Sequence, residues 1–457
     1  MRQYFGTDGV RGRFGVDPMT PEFVYRLGLA AAEFFIENKS GNDLVNGSKR
    51  IVIARDTRES GAVLESALVA GFVEKGLEPI YLGVIPTGAV STLTIKSNAL
   101  AGVMISASHN PWRDNGIKFF QSSGYKLTDQ QESEIEALMI KLEEKFPELS
   151  QISLTFNPDR DAMDSYFDHI ASSVPEDFSL EGKKVVVDTA NGASWMTTPS
   201  FFKRIGAEVI SIAQTPNGRN INEECGSQHP EAAAKAVVEH SASIGICHDG
   251  DADRLVIIDE TGSVLDGDEV MAILALGYHR MGKLKGSTLV TTVMSNLGLD
   301  ECLQEEGISV HRTGVGDRYV MEGMLEGGYV LGGEQSGHLI FLDHAPTGDG
   351  LLSAIQFLNV VQEFGEPISQ LRQRMRKYPQ RLVNIEVREK IPFSEVAGLA
   401  DFISESEAAM GAEGRLLLRY SGTENKCRVL VEAKSSPLLE QISQPLIEKI
   451  QAELGVE

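Results

Sequence analysis

Apolar positions recur along the chain in two rhythms. Over residues 23–36 they repeat every three or four positions, the period of a helix that buries one face, and Thr20-Pro21 places a capping hydroxyl before a proline at the first helical position. Short unbroken apolar runs at 51–54, 79–82 and 101–105 have the length of buried strands, and a helix is expected over 62–74. The first run ends in Arg55-Asp-Thr-Arg58. Thr128 and Gln131 form a capping box for a helix running to about 145, and residues 157–160 read as a turn-rich boundary. A second unit opens with a β-branched run at 183–187 followed by Asp188-Thr-Ala-Asn-Gly-Ala-Ser194; a third shows 287–293 and then Met294-Ser-Asn-Leu-Gly298. With 51–61 these make three openings of strand, small polar loop and helix, which we read as a degenerate internal repeat of α/β domains with largely parallel sheets. The tail reads differently. Strands at 382–387, 415–419 and 428–433, with helices at 393–409 and 437–454, predict an α+β unit with an antiparallel sheet.

Composition changes this picture in three ways. At 457 residues the chain is too long for one core and predicts three or four domains, and 42% hydrophobic with 23% charged residues is globular rather than disordered. A net charge of −23 excludes a protein that wraps nucleic acid, which needs a basic face. Cys225, Cys247, Cys302 and Cys427 are scattered without a C-x-x-C pair, no segment has the apolar length of a membrane span, and Met1 to Gly9 lacks an apolar signal core. A reducing, cytoplasmic setting is expected, with no membrane partner.

Four loops carry candidate chemistry. In Ile105-Ser-Ala-Ser-His-Asn-Pro-Trp-Arg-Asp-Asn-Gly-Ile-Lys118 an apolar strand runs into small polar residues able to hold a hydroxyl in a cleft. Ser106 and Ser108 are both candidate nucleophiles, His109 and Lys118 candidate proton carriers or charge stabilisers, and Pro111 and Asn115-Gly116 are expected to make successive tight turns. Adjacent Ser and His do not make a hydrolase triad, and no G-x-S-x-G elbow is present. In Ile244-Gly-Ile-Cys-His-Asp-Gly-Asp-Ala-Asp-Arg-Leu-Val-Ile-Ile258, three carboxylates at alternate positions, Asp249, Asp251 and Asp253, would repel one another unless a cation sat between them; a solvated acidic turn is the alternative. Their spacing imitates an EF-hand with Glu260 at its last position, but Arg254 stands where that loop needs glycine. If a metal binds, Mg²⁺ is favoured, because few protein oxygens leave positions open for phosphate. His248 is read as a spacer on the opposite face of the strand rather than a further ligand.

Gly332-Gly-Glu-Gln-Ser-Gly-His338 is a flexible polar loop able to hydrogen-bond vicinal hydroxyls. Arg419-Tyr-Ser-Gly-Thr-Glu-Asn-Lys-Cys-Arg428 joins two expected strands with cations at both ends, a phosphate cradle or a plain charged hairpin tip.

Taken together, the S-A-S-H-N-P, D-G-D-x-D-R, G-E-Q-S-G-H and S-G-T-E segments, with Phe5-Gly-Thr-Asp-Gly-Val-Arg-Gly12, resemble the α-D-phosphohexomutases in order and spacing over essentially the whole chain. The first and third segments, with Gly316-Asp-Arg-Tyr-Val320 and Thr347-Gly-Asp-Gly350, look most like the branch acting on glucosamine phosphates. The resemblance implies three related α/β domains with mixed, largely parallel sheets and a smaller C-terminal α+β domain around a central cleft. It divides the chain at 1–157 with the phosphoserine loop, 158–258 with the metal loop, 259–370 with the sugar-binding loop and 371–457 with the phosphate-binding loop. It implies interconversion of glucosamine 6-phosphate and glucosamine 1-phosphate through a phosphoserine and a bisphosphate, feeding amino-sugar nucleotide and cell-wall precursor synthesis.

The same resemblance makes Ser108 the phosphoryl carrier and assigns one Mg²⁺ to Asp249, Asp251, Asp253 and a phosphoserine oxygen. Arg11 and Arg254 would neutralise the transferring group, with His109 and Lys118 as acid/base helpers. Glu334, Ser336 and His338 would bind the sugar, and Arg419, Ser421, Gly422, Thr423 and Arg428 the distal phosphate. A sugar bisphosphate would serve as primer, and the protein would be a monomer or homodimer. Rival readings are a phosphomannomutase or phosphoglucomutase, a phosphatase, and a sugar-phosphate-binding protein without turnover. Asn425 where many members carry proline, Ala252 where glycine is frequent, and Cys247-His248 depart from the family pattern.

Overall fold

The computed structural model describes residues 3–6, 8–38, 47–142, 159, 161–421 and 425–456, and no helix among them is long and apolar enough to cross a membrane. The chain forms two compact units, Met1–Met294 with Ile308–Gln373, and Ser295–Gly307 with Arg374–Glu457.

The first unit opens with β1 (Phe5–Gly6), β2 (Gly9–Arg13), α1 (Pro21–Glu37), β3 (Arg50–Arg55), α2 (Gly61–Glu74), β4 (Glu78–Val84), α3 (Thr87–Lys96), β5 (Ala101–Ile105), β6 (Asp114–Gln121) and α4 (Asp129–Lys141). Its six strands pair in the order β1-β2-β6-β5-β3-β4. The Thr20 hydroxyl caps α1 by accepting from Phe23 N at 3.2 Å, and the Thr128–Gln131 capping box starts α4. Buried Phe23, Leu27, Phe72, Ile105 and Ile135 join one core, each contributing roughly 1.5–3 kcal/mol on the usual scale for a buried apolar side chain.

Two features of this region differ from expectation. Asn115-Gly116 is not a turn but lies inside β6, where Gly116 pairs with Arg11. The glycine is required by crowding: a Cβ there would sit 2.6 Å from Ser106 O. Helix α3, rich in threonine, has little helical signal in its sequence and is made by burial of residues 87–94. The boundary expected at 157–160 lies, apart from residue 159, outside the described residues, as do residues 143–145 of the longer α4.

A second sheet follows from α5 (Ala162–Ala171), β7 (Lys184–Asp188), α6 (Thr197–Arg204), β8 (Glu208–Ile212), α7 (Glu231–His240), β9 (Ile244–Cys247), β10 (Val256–Ile258) and β11 (Val264–Leu265), ordered β11-β10-β9-β7-β8. Then come α8 (Gly267–Arg280), β12 (Thr288–Thr292), α9 (Leu297–Glu305), β13 (Ser309–Thr313), α10 (Asp317–Gly327), β14 (Leu331–Gly333), β15 (Leu339–Phe341), α11 (Gly350–Phe364) and α12 (Ile368–Leu371), with sheet order β13-β12-β14-β15.

These sheets share one topology. In each, the opening strand (β3, β7, β12) lies at the centre of a parallel triplet, its successor (β4, β8, β13) on one side and the third strand (β5, β9, β14) on the other. An antiparallel strand (β6, β10, β15) then adds beside the third. Each opening strand also ends in the same device, a side-chain oxygen accepting from the backbone N–H two residues on: Asp56 from Arg58, Asp188 from Ala190 and Thr292 from Met294. The serine, aspartate and Gly332–His338 loops occupy one equivalent position, between the third strand and its antiparallel neighbour.

The second unit holds α9 and the tail: β16 (Gln380–Glu386), α13 (Leu399–Met410), β17 (Gly414–Tyr420), β18 (Lys426–Ala433) and α14 (Ser436–Leu454). Its three strands form an antiparallel sheet, β16-β18-β17, as expected.

Candidate active site

The all-buried strand β5 delivers the serine loop. Ser108 is 2% exposed and sits at φ 52° in the left-handed region; its Oγ donates to Asp249 Oδ2 at 2.6 Å and lies 3.3 Å from His109 Nδ1. The other candidate, Ser106, is turned away: its hydroxyl donates to Asp56 Oδ2 at 2.6 Å and accepts from Ser108 N at 2.9 Å. Only Ser108 presents its oxygen to the acidic loop. His109 is pushed down to about 4 by burial and by the Arg254 and Arg11 charges, so its imidazole is neutral near pH 7.

The acidic loop links β9 to β10. Asp249, Asp251 and Asp253 are buried, and one oxygen from each lies within 4.8 Å of the others. Asp251 Oδ1 and Asp253 Oδ1 are buried without a hydrogen-bond partner. Three converging carboxylates with orphaned oxygens fit a hard cation and do not fit a solvated turn. Burial and the neighbouring Asp253 and Asp251 push Asp249 up to about 7. Asp253 goes the other way: against its burial, Lys118 and His338 hold it well below the carboxylate range. Lys118 Nζ lies 2.8 Å from Asp251 and 3.5 Å from Asp253, and these carboxylates with Asp8 raise its pKa well above the ordinary value despite burial. Of the two roles open to Lys118, fixed charge is the one its contacts support.

Two further residues of this region make contacts of their own. His248 Nδ1 faces Arg254 O at 2.9 Å and the residue is not in the acidic cluster; Glu260 hydrogen-bonds Ser369, far in the chain from any ligand position. Ala252, where glycine is frequent, stands at φ 57°.

Arg254, in the acidic loop, and His338, in the Gly332–His338 loop, form a backbone bridge. His338 Nδ1 is 3.6 Å from Asp253 and its Nε2 3.7 Å from Asp317, which together raise its pKa against its burial. Asp317 begins α10 and pairs with Lys126; Lys126 pairs with Asp8 at 2.6 Å, and Asp8 with Lys118 at 2.9 Å. Asp8, Lys118, Asp253, His338, Asp317 and Lys126 therefore close a ring of alternating charges behind the acidic loop. Arg11 pairs with Asp8 through Nη2, while its Nε is buried without a hydrogen-bond partner. The Glu334 carboxyl is raised by burial and by Asp317, with Arg254 and His338 opposing. Gln335 points elsewhere, donating to Asp268 at 2.8 Å, and Ser336 is exposed at the loop tip.

Ser108, His109, Lys118, Arg11, the three aspartates, Arg254, Glu334 and His338 are thus gathered in the first unit. In the second, Arg419 and Arg428 are partners across β17 and β18; burial and Arg428 lower the pKa of Arg419, and Arg428 Nε is buried without a hydrogen-bond partner. Ser421 N donates to Lys426 O at 2.8 Å at the base of the loop, and Gly422 and Thr423 lie outside the described residues.

Sequence reading missed Asp8, Thr87, Lys126 and Asp317. Thr87 opens α3 and donates to Asp251 Oδ2 at 2.8 Å. The available signals were Asp8 inside the Phe5–Gly12 segment and Asp317 after Gly316, both in segments already singled out; Lys126 carried none.

Family models described as phosphoglucomutase/phosphomannomutase match in order: α/β/α domain I over residues 2–146, domain II over 164–262, domain III over 266–378 and the C-terminal domain over 382–449. A phosphoglucosamine mutase of Nitratidesulfovibrio vulgaris is 46% identical over 435 residues, covering 95% of each chain, and one of Citrifermentans bemidjiense 47% identical over 434, covering 94% of each. The fold matches a phosphoglucomutase/phosphomannomutase family protein from Burkholderia thailandensis with a TM-score of 0.77 at 20% identity, covering 99% of each chain. It also matches Aspergillus fumigatus N-acetylphosphoglucosamine mutase in complex with GlcNAc-6P and magnesium, with a TM-score of 0.67 at 17% identity over 99% of this chain and 96% of that one. With four domain models in sequence, relatives near half identity from end to end, and a buried serine set against three converging carboxylates, the chain belongs to the α-D-phosphohexomutase family, isomerases that move a phosphoryl group within a sugar phosphate.

Proposed function

We propose that the chain interconverts glucosamine 6-phosphate and glucosamine 1-phosphate. The observation that carries this reading is the Ser108 hydroxyl, buried and 2.6 Å from one carboxylate of a cluster in which Asp251 Oδ1 and Asp253 Oδ1 have no hydrogen-bond partner. Phospho-Ser108 gives its phosphoryl group to the free hydroxyl of the sugar monophosphate; the resulting bisphosphate turns over, and its other phosphate returns to Ser108. The relatives named phosphoglucosamine mutase support the amino sugar as substrate.

Phosphoryl transfer is governed by positioning and charge neutralisation, and the roles follow from that. Asp249, Asp251, Asp253 and an oxygen of phospho-Ser108 would hold one Mg²⁺, which when bound neutralises charge on the transferring group. Arg11, with its unpartnered Nε, and Arg254 add cationic donors, and Lys118 holds a fixed positive charge beside the aspartates. The neutral His109 imidazole is within reach of the Ser108 oxygen as a proton acceptor. Glu334, Ser336 and His338 orient the sugar hydroxyls. Arg419, Ser421, Gly422, Thr423 and Arg428 hold the phosphate that is not reacting, so one clamp serves either end of the sugar. The four domains proposed are 1–157, 158–258, 259–370 and 371–457, in a cytoplasmic monomer or homodimer primed by a sugar bisphosphate.

The test combines phosphorylated protein, Mg²⁺, a bisphosphate primer and, separately, the 6-phosphates of glucosamine, glucose and mannose, followed by ³¹P spectroscopy. The glucosamine ester is expected to convert fastest. Equal or faster conversion of the others removes the substrate assignment, release of inorganic phosphate makes the protein a phosphatase, and binding without turnover makes it a sugar-phosphate-binding protein.

A further inference from the structure

Among the described residues Arg58 is the largest of the wholly buried side chains, and its hydrogen bonds to the groups given a chemical role above are to the backbone. Its Nη2 donates to Ser108 O at 2.9 Å and Asn110 O at 2.8 Å, its Nη1 to Asp114 O at 3.0 Å and to Pro111 O, and its Nε to Asp56 Oδ2 at 2.8 Å. One guanidinium thus gathers four carbonyls of the serine loop. Its partner Asp56 completes the hold: Oδ2 also accepts from the Ser106 hydroxyl, whose oxygen accepts from Ser108 N. Both backbone polar groups of Ser108 are therefore fixed by a single Arg–Asp pair. Asn222, in the stretch between β8 and α7, repeats the grip, donating to Ser108 O at 2.9 Å and Asn110 O at 3.1 Å.

The hold is needed because Ser108 is left-handed, a conformation that disfavours residues with a side chain. Released, the backbone would relax and swing Oγ away from Asp249. The metal loop is fitted to the same geometry: a Cβ on Gly250 would sit 2.5 Å from Ser108 O. A carrier that must give and take a phosphoryl group at two ends of a sugar has to keep its oxygen in one place, and a misplacement of about 1 Å costs on the order of 100-fold in rate.

We propose that Arg58, acting through Asp56 and Ser106 and seconded by Asn222, is a positioning residue that holds the Ser108 oxygen in line for transfer. This rests on Ser108 being the phosphoryl carrier. Lysine cannot replace it, since one ammonium cannot span four carbonyls and a carboxylate.

The experiment is single-turnover transfer from phospho-Ser108 to glucosamine 6-phosphate by rapid quench, on the full chain, for wild type, Arg58→Lys, Ser106→Ala and Asn222→Ala, with steady-state kcat and KM alongside. Transfer is expected to slow about 100-fold in Arg58→Lys and about 10-fold in the other two, with KM within twofold of wild type. Should Arg58→Lys fail to fold, Ser106→Ala and Asn222→Ala decide, since each removes a small polar group. Folded variants of both that transfer at the wild-type rate overturn the inference, as does a rise in KM at unchanged kcat. A wild-type chain whose Ser108 takes up no phosphate overturns instead the reading on which it rests, and mass spectrometry of Ser108 detects that before any variant is compared.

Discussion

The hydroxyl of Ser108 and the carboxylate of Asp249 meet at 2.6 Å although they are 141 residues apart and lie in loops of different sheets. This bond joins two equivalent loops of a repeated topology, each between the third parallel strand and its antiparallel neighbour. The repeat therefore places chemically different loops around one point: a serine hydroxyl in the first, carboxylates in the second, a Glu and a His in the third.

Ser108→Ala is expected to abolish phosphoryl uptake by the protein and to reduce mutase turnover by at least about 10³-fold, since a covalent carrier has no substitute. Sugar-phosphate binding should persist, because the groups assigned to it are elsewhere. The check is ³²P incorporation from a labelled bisphosphate, with calorimetry for binding. Ser106→Ala, by contrast, should still be phosphorylated.

Divalent-cation binding should depend on pH with a midpoint set by Asp249. Without a cation its carboxyl is held up at about 7 by burial and by the adjacent aspartates, so below that pH it carries a proton that a cation must displace. The sign follows: affinity for Mg²⁺ falls as pH drops below 7, by up to about tenfold per unit, and levels off above it. Titration calorimetry at pH 6, 7 and 8 in buffers of different ionisation enthalpy measures both the affinity and the proton released. An affinity flat from 6 to 8 would contradict the coupling. Chelation of the cation should stop turnover and, by removing a ligand that binds only the folded state, lower the melting temperature.

The ring of charges behind the acidic loop should behave as one unit. Lys126 is shared by Asp8 and Asp317, so Lys126→Met removes the cation between them and leaves Asp8 to Lys118 and Arg11 and Asp317 to His338 alone; the expected loss is about 2–3 kcal/mol, below the cost of breaking a fully buried pair because these groups are partly exposed and keep their other partners. Lys126→Met with Asp317→Asn should be less damaging than the sum of the singles, and urea unfolding gives the coupling; additive losses would dissolve the ring into separate contacts. Lys118, Lys126 and His338 hold Asp8, Asp253 and Asp317 below the ordinary carboxylate range against their burial. Depressed carboxylates contribute stability that is present above the unfolded value near 4 and is lost as pH falls through the folded values, so the ring variants should lose part of the acid sensitivity of the wild type.

Much of this was legible before the structure because the informative units are local. A capping hydroxyl before proline, a β-branched run and three aspartates at alternate positions each act over fewer than ten residues, and α1, β7 and the acidic loop stand where those signals put them. What could not be read depends on distance in the chain. Asn115-Gly116 carries the strongest local turn signal in the serine loop, but Asn115 Nδ2 donates to Ser60 Oγ and Gly116 is pressed against Ser106, so tertiary crowding keeps both in a strand. Lys126 belongs to the site only because Asp8 and Asp317, 118 and 191 residues away, come to it. Arg58 looked like the end of a strand, and its role depends on carbonyls some fifty residues on.

The proposed phosphate clamp makes the sharpest trade between stability and function. Arg419 and Arg428 face each other on adjacent strands, and like charges directly opposite weaken a sheet by up to about 1 kcal/mol. Proximity to Arg428, added to burial, lowers the Arg419 pKa, and Arg428 keeps a buried Nε without a hydrogen-bond partner. Both costs disappear if an anion sits between the two guanidinium groups. Arg428→Ala should therefore stabilise the ligand-free protein by about 0.5 kcal/mol while raising the KM for sugar phosphate about 10- to 100-fold, the loss of one charge-assisted phosphate contact. The measurement is the melting temperature with and without glucosamine 6-phosphate. Wild type should melt lower alone and gain on adding the ligand; Arg428→Ala should melt higher alone and gain little. A variant that melts lower alone would make the arginine pair structural, and one that keeps the full ligand response would place the non-reacting phosphate elsewhere.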